Sequence, residues 1–254
     1  MVVSMTTPAP AVQLVDTRAA LDTLVNAIAH ETVVGLDTES DGFFRYRPKL
    51  CLIQLRAGDV RALIDPLALP DLGPLLELLR RPAVETVLHD AEQDVMLLQR
   101  QYGVTLGRIF DTSYAARLAG MTQVGLQGVV QHFFGVTLDK KEQRSDWARR
   151  PLSPPQITYA ALDVEHLGGL REALSTRLTE LGRLHAASQA FDRIRARLSV
   201  DKVPDLEGWK GMKGVRALDP QQLGMLKALW EWRESLALSL IHISEPTRLR
   251  RISY

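Results

Sequence analysis

The sequence predicts an α/β protein: a mixed sheet flanked by helices, followed by a helical C-terminal segment. Two observations predict it. Three short apolar runs follow one another closely between residues 32 and 66, which favours an antiparallel meander. After residue 70 apolar runs alternate with amphipathic ones, the β-α-β-α order that adds parallel strands to a sheet.

Each element has its own signal. Residues Ala19 to His30 carry Leu21, Leu24, Val25 and Ile28 at helical spacing. Thr32 to Leu36 is a β-branched apolar run that ends in Asp37-Thr38-Glu39-Ser40-Asp41-Gly42, a buried strand with an acidic end. Leu50 to Leu55 and Val60 to Asp65 are two further strands joined through Ala57-Gly58-Asp59, and Pro66 and Pro70 end the meander. Asp71 to Arg81 is a short amphipathic helix, Glu85 to Ala91 a strand, and Glu92 to Tyr102 a helix capped by Gly103. Gly107 to Gly120 reads as a strand leading into a helix, and Gly125 to Gly135 as another helix. Residues 139–155 are charged and proline-containing, which predicts a loop. A long helix is expected from Pro155 to about Leu181, then another to about Leu198, then a glycine-containing linker. A last helix opens with Asp219 as N-cap and Pro220 at its first position.

Composition narrows the function. Of 254 residues, 46% are hydrophobic and 24% charged, which excludes a disordered tail or a disulfide-dense module. With 31 basic and 30 acidic residues, a nucleic-acid role must rest on a local basic face. No apolar run spans a bilayer, and the first residues lack a secretory pattern. Cys51 stands alone in an apolar run, so it reads as a buried small hydrophobe in a reducing cytoplasm. No Gly-x-Gly-x-x-Gly follows a strand and no Gly-Lys-Ser/Thr phosphate loop exists, which excludes dinucleotide and P-loop chemistry.

Four carboxylates stand where a core would not want them. Asp37 and Glu39 are two apart on a strand and share a face. Asp94 lies in the first turn of a helix, and Asp163 follows Tyr159 at i+4 on one helix face. Gathered acids removed from water cost several kcal/mol each unless compensated. All-oxygen ligands suit Mg²⁺ or Mn²⁺ and not zinc, and two such ions can activate water and stabilise the leaving oxygen of a phosphodiester.

Three motifs then carry a resemblance. Asp37-Thr38-Glu39, His89-Asp90-Ala91-Glu92-Gln93-Asp94 and Tyr159-Ala160-Ala161-Leu162-Asp163 resemble, in order, those of ribonuclease D and its relatives, the tyrosine-type DEDD exonucleases. The match covers roughly residues 33–181, and the three-motif set is specific. The resemblance implies a ribonuclease H-like fold with a five-stranded mixed sheet. It implies a 3′–5′ exoribonuclease that uses two divalent ions and releases nucleoside 5′-monophosphates, with tRNA 3′-end processing as its role and RNA with a free 3′ end as its partner. Neither membrane nor protein partner is implied. It also implies roles: Asp37 bridges both ions, Glu39 and Asp163 complete the site of the water-activating ion, Asp94 holds the other, and Tyr159 orients the water. Alternatives are the same chemistry on DNA, or a non-catalytic nucleic-acid-binding scaffold; the full set of acids and the tyrosine argues against the scaffold.

Around this core, Lys140, Lys141, Arg144, Arg149 and Arg150 crowd the loop before Tyr159 and are candidates to hold backbone phosphates. Phe43, with Phe44 and Tyr46, is a candidate to stack a terminal base. His89, His132 and His166 read as structural, Asp111 as a helix cap, and Gly211-Met212-Lys213-Gly214 as linker. The expected organisation is an exonuclease domain over 12–181, a helical extension and linker over 182–215, and the start of an HRDC-like domain over 216–237. The HRDC assignment is again a resemblance, to the helical nucleic-acid-binding module that follows the nuclease domain in this family. The string Leu238 to Arg248, LSLIHISEPTR, resembles the in-frame translation of a transposase-type sequencing adapter, so residues 238–254 are expected to be an artefact foreign to the fold. Without them the formal charge becomes −1, because three arginines and one glutamate go.

Overall fold

The computed structural model describes residues 12–42, 48–139, 141–197 and 207–243. The described residues form two compact units, one holding the sheet and eight helices, the other holding two 3₁₀ turns and one helix.

The chain enters through β1 (Gln13–Val15) and α1 (Arg18–Ala27), whose N-cap Thr17 accepts from the Ala20 amide. Leu21, Leu24 and Ile28 of this region are fully buried, as their spacing predicts. The meander is β2 (Val33–Ser40), β3 (Leu50–Ala57) and β4 (Val60–Ile64), antiparallel at both junctions, with Gly58 at φ +54° making the tight turn. Then come α2 (Gly73–Arg80), β5 (Glu85–Leu88), α3 (Glu92–Tyr102), β6 (Arg108–Asp111), α4 (Thr112–Leu118) and α5 (Leu126–Phe134). Strands β5 and β6 join β2 in parallel, as the alternation predicts. Gly103 closes α3 in the left-handed region at φ +60°, donating to the Gln99 carbonyl at 2.8 Å.

The sheet has six strands, in the order β1-β4-β3-β2-β5-β6, not the five expected. The extra strand is β1, parallel to β4. Three residues are too few to show alternation, and their strand identity comes from pairing with an element 49 residues further along the chain, Gln13 opposite Ala62.

The long helix expected from Pro155 is also two helices, α6 (Pro154–Glu165) and α7 (Leu167–Glu180), with His166 at φ −102° between them. The Arg56 guanidinium donates to the Glu165 carbonyl, an acceptor that an unbroken helix would use for its own ladder. Helix α8 (Leu184–Arg195) packs on the same body, with Phe191 against Phe110 at 4.9 Å between centroids. One continuous core of leucine, isoleucine and valine fills the sheet-helix layers. Each fully buried member contributes about 1.5–3 kcal/mol.

In the second unit, 3₁₀ turns at Gly208–Gly211 and Val215–Ala217 occupy part of what reads as linker. Helix α9 runs Pro220–Ile243 and opens with the expected cap: Asp219 accepts from the Gln222 amide at 2.9 Å, and the Gln222 side chain accepts from the Asp219 amide at 3.0 Å. Met225, Leu229, Trp232 and Leu236 are exposed along it.

One glycine is fixed by close approach. A Cβ on Gly107 would lie 2.0 Å from the Arg81 carbonyl oxygen and 2.6 Å from its carbon. Both are backbone atoms that cannot step aside. Gly107→Ala is therefore expected to destabilise the first unit by about 1–3 kcal/mol, read from denaturant midpoints, with no change in secondary-structure content. An unchanged midpoint would contradict that packing.

Candidate active site

Strand β2 sends alternate residues to opposite faces. Val34 and Leu36 are buried on one face, while Gly35, Asp37 and Glu39 look to the other. Helix α6 and the start of α7 cover that second face. They come so close that a Cβ on Gly35 would touch the Leu167 Cβ at 3.3 Å and the Val164 carbonyl at 3.5 Å. The register shifts between Glu39 and Ser40, so the ladder breaks just beyond the two acids.

Helix α6 supplies the next pair. A capping box of Ser153 and Gln156 starts it, and Pro154 and Pro155 occupy its first turn. Tyr159 and Asp163, one turn apart, share a face, and the Tyr159 hydroxyl hydrogen-bonds to the Asp163 carboxyl. The far end is fixed by Glu165, which accepts a fork from Arg61 (2.7 and 3.0 Å) and pairs with Arg56 at 3.1 Å.

Asp94 arrives from the other side. It lies in the first turn of α3, 8% exposed, and accepts from the Thr38 hydroxyl. Thr38 sits between the two β2 acids in sequence but faces away from them. The turn into α3 is set by Asp111, whose carboxylate accepts from the amides of Asp90 (3.1 Å), Ala91 (3.0 Å), Ser113 (2.9 Å) and Tyr114 (3.0 Å). Asp90 takes the left-handed conformation at φ 62° within that turn. Asp111 thus caps α4 as expected and also steers α3.

The acids converge. One carboxylate oxygen each from Asp37, Glu39 and Asp163 lie within 4.8 Å of one another. Among the described residues, none of these three, nor Asp94, is in an ion pair with a lysine or arginine. Burial, the Asp163 charge and their balance against a Thr38 backbone hydrogen bond hold the Asp37 carboxyl well above the usual range. Burial and the charges of Asp37, Asp163 and Asp94 push Glu39 up to about 10. Burial and Asp37 raise Asp94, against the Thr38 hydrogen bond. Burial lifts Asp163 to about 7, with the Tyr159 hydrogen bond opposing. Tyr159 is raised above its ordinary value by burial and then by the charges of Asp163, Glu39 and Asp37. A cluster of this kind fits divalent cations: hard oxygen donors, converging, with no lysine or arginine paired to them among the described residues.

The basic loop divides into parts with different tasks. Arg150 donates through all five N–H groups within the chain: to Asp65 at 2.6 and 2.8 Å, and to the carbonyls of Trp147 (2.7 Å), Arg149 (2.9 Å) and Cys51 (2.7 Å). None is left for a phosphate, so Arg150 is a clamp on the loop in place of the phosphate contact expected of it. Lys141 is exposed and pairs with Asp139 at 3.0 Å. Arg144 and Arg149 are exposed on the same loop. Lys140 and Phe43, with Phe44 and Tyr46, lie outside the described residues. Trp147 is 1% exposed and packs against Tyr159 at 6.0 Å between ring centroids.

The remaining expectations fall outside the cluster. His89 is half-buried, its Nδ1 2.8 Å from the Thr112 hydroxyl, and desolvation lowers its pKa. His166 stacks on Phe134 at 5.4 Å. The Cys51 thiol is pushed up to about 12 by burial and the Asp41 charge, as suits an inert core residue. Sequence reasoning missed Thr38, the Arg56–Arg61–Glu165 clamp and the steering role of Asp111. A polar residue between two acids, and two arginines at facing positions on either side of the Gly58 turn, were the available signals.

The raised carboxyls make a stability prediction for the chain in EDTA. The unfolded chain releases these protons in the ordinary carboxylate range, while the folded chain holds them up to about 7 at Asp163 and about 10 at Glu39. The folded state binds more protons across that window, so stability falls as pH rises through it. The melting temperature in EDTA is expected to drop between about pH 5 and about pH 8, Mg²⁺ to restore it, and Asp163→Asn to flatten the profile. A flat wild-type profile would refute the electrostatic picture.

The family model described as 3′-5′ exonuclease matches residues 12–179. The chain is 37% identical over 227 residues to ribonuclease D of Granulibacter bethesdensis, covering 89% of this chain and 57% of that protein. The crystal structure of Escherichia coli RNase D, described as an exoribonuclease involved in structured RNA processing, aligns with TM-score 0.73 and 33% identity over 90% of this chain and 61% of that one. Brucella melitensis NrnC with bound Mg²⁺ aligns with TM-score 0.64 and 26% identity, over 80% of this chain and 96% of that one. The chain thus spans a little over half the length of the curated relative it matches. The family-model match over most of the chain places it in the 3′-5′ exonuclease family, with ribonuclease D enzymes among its relatives.

Proposed function

We propose that this chain carries the catalytic domain of a metal-dependent 3′–5′ exoribonuclease that releases nucleoside 5′-monophosphates, with tRNA precursors as substrates in the cytoplasm. The observation that carries the reading is the convergence of Asp37, Glu39 and Asp163 oxygens within 4.8 Å, with Asp94 held beside them by Thr38 and no cationic side chain paired to any of the four among the described residues. Relatives of this family that act on RNA, and one solved with Mg²⁺, support it.

Asp37, Glu39 and Asp163 would hold one divalent ion, and Asp37 with Asp94 a second. Such ions acidify a water and neutralise charge on the leaving oxygen. Tyr159 keeps its proton at neutral pH, because burial and three nearby acids raise its pKa. Its hydroxyl therefore positions the attacking water by hydrogen bonding and does not act as a base. Attack at the terminal phosphorus breaks the bond to the 3′ oxygen of the preceding nucleotide. The shortened chain keeps that oxygen as a hydroxyl, and the departing nucleotide keeps the phosphate. Exposed Arg144, Arg149 and Lys141, with Lys140, are the phosphate contacts of this reading, and Phe43 the base-stacking residue.

Residues 216–237 fit the opening helix of an HRDC-like nucleic-acid-binding module, because α9 carries an apolar stripe at Met225, Leu229, Trp232 and Leu236 that wants further helices. Residues 238–254 have no part in the proposed function. Among the described residues, no helix is long and apolar enough to cross a membrane.

The test is residues 1–237 on 5′-labelled single-stranded RNA and its DNA counterpart, in Mg²⁺, Mn²⁺ or EDTA. RNA is expected to shorten stepwise from its 3′ end with 5′-monophosphates as product, and EDTA to stop it. Asp37→Asn should lose activity by at least about 100-fold, and Tyr159→Phe about 100-fold in kcat with KM little changed. Intact RNA in every metal, with RNA still bound, would favour a scaffold. Shortening of DNA alone would move the substrate class.

A further inference from the structure

Gln54 is fully buried in the middle of β3, and neither its amide nitrogen nor its amide oxygen has a hydrogen-bond partner. A buried primary amide with both ends unused costs a few kcal/mol. Its place in the sheet is specific. In the antiparallel β2–β3 ladder Gln54 is directly opposite Asp37, and Leu52 is opposite Glu39. Opposed residues in an antiparallel pair project to the same face, with Cβ atoms about 5 Å apart. Gln54 therefore shares with Asp37 the face that α6 covers. Leu63, its partner on β4, and Leu52 belong to the apolar cluster there, with Trp147 and Ala160. An apolar residue would satisfy that packing without the polar cost, so the amide has another use.

Resting on the metal-dependent reading above, we propose that Gln54 is a positioning residue for Asp37: its side-chain N–H donates to the Asp37 carboxylate once a divalent cation is bound. Asp37 has the most to gain from such a donor. It stands among three other acids, and its own described hydrogen bond is to the Thr38 backbone. A carboxylate oxygen has lone pairs beyond the one it gives a cation, and Gln54 is the buried neutral donor directly across the ladder. A neutral amide suits this place better than a lysine or arginine, which would compete with the cation for the same carboxylate. Outer hydrogen bonds of this kind fix ligand orientation, and their loss weakens metal affinity by roughly 10–100-fold.

The test compares wild type with Gln54→Leu, which keeps the volume and removes both polar ends. Mn²⁺ and Mg²⁺ binding is measured by calorimetry and Mn²⁺ spectroscopy without RNA, beside melting in EDTA. The expected result is a melting temperature in EDTA equal to or above wild type, with cation affinity lower by roughly tenfold or more. Equal cation affinity in both proteins overturns the proposal. So does a marked loss of stability in EDTA, which would give the amide a purely structural role. Absence of cation binding by wild type itself would instead overturn the metal-dependent function, a distinguishable outcome.

Discussion

Four carboxylates that repel one another must be held at one end of a sheet without being neutralised. Burial pushes all four upward in pKa, and neighbouring acids add to it at Asp37, Glu39 and Asp94, so the fold spends stability on keeping them together. What restrains them is neutral or indirect. Thr38 holds Asp94 with a hydroxyl, Tyr159 touches Asp163 with another, and Asp111 reaches Asp94 only through the turn that starts α3.

The cations nearby follow the same logic. Arg56 and Arg61 lie on the strands beneath α6, and both are taken by Glu165, two residues beyond Asp163. Burial would raise Glu165, yet the Arg61 hydrogen bonds and the Arg56 and Arg61 charges bring it below its ordinary value. Arg150 is taken in the same way by Asp65. Acids next to the cluster are paired, while the cluster itself stays unpaired among the described residues. The arginines thereby anchor helix and loop without quenching the charge that a metal needs.

Much of this was legible in the sequence. The meander, the alternation after it, the glycine cap at Gly103 and the cap at Asp219 follow from local rules that the structure obeys. The acids could be named because their residue types and element-end positions conflict with burial. What stayed hidden depends on long-range partners. Strand β1 is a strand only because β4 accepts it, and the α6–α7 break depends on an arginine 109 residues away in sequence. Arg150 looked like its basic neighbours, and only its five internal acceptors separate it from them.

That saturated guanidinium also sets a leash. The segment between α5 and α6 is pinned at Arg150 to the sheet and at Trp147 to the face of Tyr159. Arg144 is three residues from Trp147, so its Cα cannot stray more than about 11 Å from that anchor. Arg149 is shorter-tethered still. The exposed arginines are thus confined to the neighbourhood of Trp147, which itself packs on Tyr159. On the function proposed above, a polyanion would meet a loop whose chain has little entropy left to lose.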